Sequence, residues 1–287
     1  MTAVRHLYAT IQGRRLFYQE AGLTGDPAIL LLHGFSSSSF MFRNLIPELA
    51  DRYYVIAPDL LGCGLSDAPS VEEFRYTFDA LSCLTAGLLE HLSVKEYVLY
   101  VQDFGAPVGW RLALSNPESV LAVITQSGNG YEAGFEQAFW KPVRQYWNDQ
   151  NPQTESSVRQ TLTLDGIRWQ YLHGVSDPAA ISPEIWHHDY SLVSRSGIDR
   201  VQLQLLADYA SDIALYPKLH AFLRESEVPI LAVWGKHDKI FGPAGARAFL
   251  DDSPNAEIRL IDGGHCLLES HLELTVHYIR GFLERSL

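Results

Sequence analysis

A chain of 287 residues that is 47% hydrophobic and 20% charged is long enough to bury one large core, and with no repeat or low-complexity tract its composition argues against disorder. Its net charge of −12 argues against nucleic acid or anionic membrane as a general partner, because both are met by clustered Lys and Arg. No run approaches the ~20 apolar residues that span a bilayer and the first residues carry no apolar export segment. The odd count of three cysteines, Cys63, Cys83 and Cys266, lacks metal-ligand spacing, so reduced thiols in the cytoplasm are expected.

In chain order, the segments HLYATIQ and RRLFYQEA flank Gly13 and predict a hairpin. Unbroken apolar runs then recur at residues 28–33, 53–59, 97–102, 121–125, 229–234 and 258–261. Runs without alternation are how parallel strands buried on both faces read. Helical patterns at 78–92 and 104–115 lie between them, so the expected class is α/β, a mostly parallel, doubly wound sheet. The rhythm stops between residues 129 and 219, where four of the six tryptophans fall, Trp140, Trp147, Trp169 and Trp186. The expected organisation is therefore a core of residues 1–128 and 220–287 with a helical cap, 129–219, inserted into it. A lid over an apolar pocket and a simple cover for the sheet are both open for this cap.

Sites on doubly wound sheets lie at the carboxyl ends of strands. Four polar clusters occupy such positions: His33-Gly34-Phe35, Gln102-Asp103-Phe104-Gly105, Gly235-Lys236-His237-Asp238 and Gly263-Gly264-His265. Asp103, Asp238 and His265 thus follow the chain order nucleophile, acid, base. Together with DLLGCGLSD at 59–67, these motifs resemble the α/β-hydrolase fold family over nearly the whole chain, and within it the aspartate-nucleophile branch that includes epoxide hydrolases and haloalkane dehalogenases. The family's turn, small-x-nucleophile-x-Gly, reads Val101-Gln102-Asp103-Phe104-Gly105, with Val101 larger than the usual glycine.

The resemblance implies a mechanism. A carboxylate, already ionised at neutral pH, displaces a leaving group from saturated carbon and becomes an alkyl ester of Asp103. His265 then activates water against that ester, Asp238 orients the imidazole, and the N–H groups of Phe35 and Phe104 hold the oxyanion.

The leaving group divides the branch. An alkoxide from an epoxide needs a proton donor, which in epoxide hydrolases is a lid tyrosine; Tyr209, in LLADYASD, stands where the second of these is found, and Tyr171, in WQYLHG, offers a first. Haloalkane dehalogenases commonly carry Trp after the nucleophile and often Asn after His-Gly, where this chain has Phe104 and Phe35; one of the four cap tryptophans remains as an indole donor. Fluoroacetate dehalogenases carry arginines where this chain has Phe104 and Pro107, which disfavours a carboxylate substrate. The HG-x-P pattern usual in epoxide hydrolases ends here in Ser36. The expected function is epoxide hydrolysis of a small, neutral, apolar molecule; the alternative is haloalkane dehalogenase, and from another class a non-enzymatic small-ligand receptor. No cofactor, metal, nucleic acid or membrane partner is expected, and a homodimer stays open. Ser36 to Ser39 are expected to cap the next helix, with contact of one of them to substrate left open, His33, His237 and His271 to be structural or on the surface, Glu269 to cap or pair, and Cys266 to pack.

Overall fold

The apolar runs become the strands of one eight-stranded sheet. In the computed structural model, which describes residues 3–287, these are β1 (Arg5–Ile11), β2 (Arg14–Ala21), β3 (Ala28–Leu32), β4 (Tyr54–Pro58), β5 (Tyr97–Gln102), β6 (Val120–Gln126), β7 (Ile230–Gly235) and β8 (Glu257–Ile261). They lie in the order β1-β2-β4-β3-β5-β6-β7-β8. β2 is antiparallel to β1 and to β4, and every other neighbouring pair is parallel. The hairpin turns on Gln12 (φ 49°) and Gly13 (φ 76°) between the paired Ile11 and Arg14, a two-residue turn with both residues left-handed, whose twist matches that of the strands.

β3, β4 and β5 are buried along their whole length. Alternate side chains enter two separate apolar clusters: Leu30, Leu32, Leu99 and Val101 join one face, Ile29, Leu31, Val98 and Tyr100 the other. Covering both faces is what removes the polar alternation from the sequence of these strands.

The helices are α1 (Leu45–Leu49), α2 (Phe78–His91), α3 (Gly105–Ser115), α4 (Gln137–Asn148), α5 (Pro152–Arg159), α6 (Leu164–Leu172), α7 (Glu184–Val193), α8 (Ile198–Asp208), α9 (Ala210–Ser226), α10 (Pro243–Asp252), α11 (Leu267–Ser270) and α12 (Leu272–Ser286). Local chemistry starts several of them. Thr77 caps α2 by accepting from Ala80 N at 3.1 Å, and Asn151 closes a reciprocal capping box ahead of Pro152, the positions these residues favour. α1 and α12 cover one face of the sheet; α2 and α3 cover the other.

Helices α4 to α9 fill the interval between β6 and β7, where the sequence carries no apolar run. α9 passes residue 219 unbroken and stops after Ser226 at the left-handed Glu227 (φ 51°). Among the described residues no helix is long and apolar enough to cross a membrane.

Candidate active site

β5 delivers Asp103 to a sharp turn. Asp103 has φ 46°, a left-handed conformation that costs a non-glycine residue roughly 1–3 kcal/mol and persists only where the surroundings impose it. Two glycines make room for the turn: a Cβ on Gly105 would overlap the Leu32 carbonyl, and one on Gly34 would lie 2.9 Å from Asp103 Cβ. The bulk of Val101 beneath the turn is accommodated in the same way, since a Cβ on Gly109 of α3 would overlap Val101 Cγ1, and one on Gly128 would lie 2.8 Å from Cγ2. The room that a glycine in the strand would leave comes instead from glycines in the two segments facing it. Gly109→Ala is therefore expected to destabilise by about 1–3 kcal/mol through overpacking, and Val101→Ala in the same chain to restore most of the loss, measured by denaturant unfolding.

Asp103 is 3% exposed. Burial is the main influence on its carboxyl and raises its pKa, against the opposing pull of His265 and of the Phe35 and Phe104 N–H groups. Phe35 N donates to Asp103 Oδ2 at 2.8 Å, so the N–H expected at the oxyanion position already faces the carboxylate. His265 presents Nε2 at 4.0 Å from Asp103 Oδ2 and Nδ1 at 2.8 Å from Asp238 Oδ2. Burial of the imidazole acts to lower its pKa, but Asp238 and Asp103 outweigh it and the pKa lies above the ordinary value.

Asp238 is held by four groups: His265 Nδ1, Ser127 Oγ at 2.7 Å, and the N–H groups of Ile240 and Phe241 at 2.8 and 3.1 Å. Ser127 is not among the residues expected from the sequence. It directly follows the strand-end Gln126 in the left-handed conformation (φ 50°), so the polar group after the run at 121–125 was the available signal.

The expected supporting residues take definite places. His33 is buried, accepts from Leu60 N at Nε2 and stands 2.9 Å from Gly34 O at Nδ1; burial lowers its pKa, and the ring ties the ends of β3 and β4 together. Ser38 caps the turn that follows, accepting from Phe40 N. Glu269 pairs with Arg43 through two 2.8 Å hydrogen bonds, and His237 pairs with Asp262 at the surface. Burial raises the Cys266 thiol well above its usual range.

The two candidate tyrosines differ sharply in placement. Tyr171 lines the cavity beside Asp103 and donates its hydroxyl to Asp189 Oδ2 at 2.5 Å. Tyr209 lies behind Phe104, with ring centroids 5.3 Å apart, among Phe78, Trp140 and Trp147. Its hydroxyl is buried with no well-formed hydrogen bond. Both phenols have pKa values raised well above the usual range, chiefly by burial. Two of the four cap tryptophans are engaged, Trp140 and Trp147 donating their indole N–H to the carbonyls of Ile240 and Leu206, and no tryptophan lines the cavity beside Asp103.

That cavity is small, about 10 Å³, walled by Phe35, Ser37, Asp103, Gln170, Tyr171 and His265 among others. Above it the cap aromatics Trp140, Trp147 and Tyr209 pack on one another. Among the described residues no group of three or more His, Cys, Asp or Glu side chains is placed to hold a metal ion.

A sheet of this topology with a strained acidic residue at the tip of its fifth strand and a His–Asp pair beside it defines an α/β hydrolase. The model of the alpha/beta hydrolase fold matches residues 27–272, and the chain belongs to that family. It is 40% identical to the uncharacterized hydrolase YNR064C of Saccharomyces cerevisiae over 93% of this chain and 92% of the yeast protein. It is 29% identical to a haloalkane dehalogenase of Mesorhizobium japonicum over 98% and 92% of the two chains. Among solved structures, the epoxide hydrolase CorEH superposes with a TM-score of 0.79 at 23% identity, covering 99% of both chains.

Proposed function

We propose that this hydrolase opens epoxides of small, neutral, apolar molecules through a covalent ester of Asp103. The observation that carries the reading is the placement of Asp103: a buried carboxylate on a strained turn, bonded by Phe35 N–H and 4.0 Å from an imidazole that is itself anchored on Asp238. In the first step an Asp103 oxygen attacks a ring carbon and the C–O bond breaks. The alkoxide takes a proton from a cap phenol; Tyr171 stands at the cavity wall, and Tyr209 lies one aromatic layer behind it. Raised pKa values keep both phenols protonated at neutral pH, as a donor must be. In the second step water attacks the ester carbonyl, with His265 as base and the N–H groups of Phe35 and Phe104 against the oxyanion. The cap, residues 129–219, must shift to admit any substrate of several atoms, because a 10 Å³ cavity holds no more than about one water.

Epoxide opening is favoured over halide release by the donors available. A halide cradle built on indole N–H groups would need tryptophans that are bonded to backbone carbonyls or lie away from the cavity.

Isotope transfer tests the ester. In one turnover with excess enzyme in ¹⁸O-water, the diol is expected to form unlabelled, with the label appearing in Asp103, since the oxygen passed to the product comes from the carboxylate. Label in the first-turnover diol would mean direct attack by water and would end this reading. Running Tyr171→Phe and Tyr209→Phe against epoxides and bromoalkanes assigns the acid: the variant that loses epoxide opening by about 10²-fold or more while sparing halide release is the donor.

A further inference from the structure

Two polar atoms at the candidate site have no protein partner, Ser37 Oγ and Gln170 Nε2. Both side chains are more than nine-tenths buried, at 8% and 6% exposure, and both residues wall the cavity shared by Asp103 and His265. Buried polar groups in native folds are almost always satisfied, so a pair left over at one cavity points to an occupant that is not protein. The cavity volume, about 10 Å³, suits a single water. The gap of 4.0 Å between His265 Nε2 and Asp103 Oδ2 is too long for a hydrogen bond and short enough for one bridging oxygen.

We propose that Ser37 and Gln170 seat the water that hydrolyses the Asp103 ester; the proposal rests on the ester reading above. The hydrogen-bonding inventory closes. With the Nδ1 proton held on Asp238 and the Asp103 charge cancelled in the ester, His265 Nε2 accepts one hydrogen of the water and the Ser37 hydroxyl oxygen accepts the other, which in the free enzyme faces Asp103 Oδ2. The Gln170 amide, which at Nε2 can only donate, donates to one lone pair. The second lone pair is left to face Cγ of Asp103. In the step itself the water oxygen bonds to Cγ, His265 Nε2 takes one proton, and the bond from Cγ to the alkyl oxygen breaks. The departing oxygen takes the proton from His265, and the remaining water proton is released as the Asp103 carboxyl ionises. Ser37 comes from the loop after β3 and Gln170 from α6 of the cap, so the seat needs α6 to stay beside that loop while the rest of the cap makes room for the alkyl group. The two residues are positioning residues for the second step and take no part in the first.

The test separates the two steps. Excess Ser37→Ala or Gln170→Met enzyme is mixed with styrene oxide and with bromobutane, quenched at intervals and weighed as intact protein. The ester is expected to form at the wild-type rate and to decay about tenfold more slowly in each variant, the loss of about one hydrogen bond. Ser37→Thr, which keeps the hydroxyl, is expected to restore the decay rate, and Gln170→Glu, which keeps the shape but loses the donor, to remain slow. Slower ester formation with unchanged decay would mean that these residues contact substrate or support the fold, and would overturn the proposal; so would unchanged decay. His265→Gln serves as the control for the underlying reading. If that variant forms no ester with either probe, the ester reading and the seat fall together; if it forms one while the Ser37 and Gln170 variants decay normally, only the seat falls.

Discussion

Asp103→Asn is expected to lose turnover while gaining stability. An amide cannot displace a leaving group from saturated carbon, and removing the nucleophile of a covalent hydrolase costs on the order of 10⁶ in kcat. The stability gain follows from the direction of the carboxyl's pKa. Burial raises it in the folded protein, so above its unfolded value the ionised carboxylate disfavours the folded state, and the cost is complete once pH exceeds the folded value. A neutral amide of the same shape removes that cost. Calorimetry near neutral pH should show a higher Tm for the variant. The difference should shrink as pH falls toward the unfolded carboxyl pKa, where both proteins are neutral at this position. An unchanged Tm would mean that the N–H groups of Phe35 and Phe104 already offset the burial of the charge. Retained turnover would remove Asp103 as nucleophile and reopen a receptor or another chemistry on this fold.

The trade between charge and stability also says why Asp103 was the legible residue. An acidic side chain directly after the apolar run YVLYVQ conflicts with the rule that governs such strands, and local conflicts of this kind concentrate at functional positions. His265 and Asp238 were legible for the same reason, as polar residues at strand ends with glycines beside them. Val101 was legible as an anomaly but could not be resolved: its explanation lies in Gly109, eight residues on, and in Gly128, beyond the next strand, and only the folded sheet brings both against one side chain. Ser127, Ser37 and Gln170 were hidden by ordinary local behaviour. Ser37 sits in a serine run that reads first as capping, with substrate contact by one unspecified serine the lesser reading, and Gln170 lies within a cap helix where a glutamine has no pattern to break. Their significance is a matter of which partners they lack, a tertiary property. Tyr209 presents the opposite case. Its place in the chain resembles a family position, yet its neighbours are aromatic rings donated by three separate segments, and no local pattern foretells how deep a cap tyrosine will lie.

His265→Gln should trap the ester. Glutamine can hold a place near Asp238 but cannot take a proton from water, and loss of a general base costs about 10²–10⁴ in the step it serves. Formation of the ester needs the ionised Asp103 and, for an epoxide, a proton from the cap phenol, but not His265, so the variant is expected to alkylate stoichiometrically and stop. Intact mass then identifies the leaving group: an epoxide adds its full mass, because the ring oxygen stays on the product, whereas a bromoalkane adds its mass less HBr. Absence of an adduct with every accepted substrate would count against the ester. In the wild type the same intermediate should alter its own base. Burial acts to lower the His265 pKa, and the charges of Asp238 and Asp103 together hold it above the ordinary histidine value. Esterification cancels the Asp103 charge, so the imidazole becomes less basic at the stage where it must be neutral to accept a proton. Ester decay, followed by quenched flow as a function of pH, is expected to rise with pH through an apparent pKa lower than that of His265 titrated by NMR in the free enzyme. If the two values coincide, Asp103 contributes nothing to the charge state of His265, and the 4.0 Å approach of the two side chains would have no electrostatic consequence.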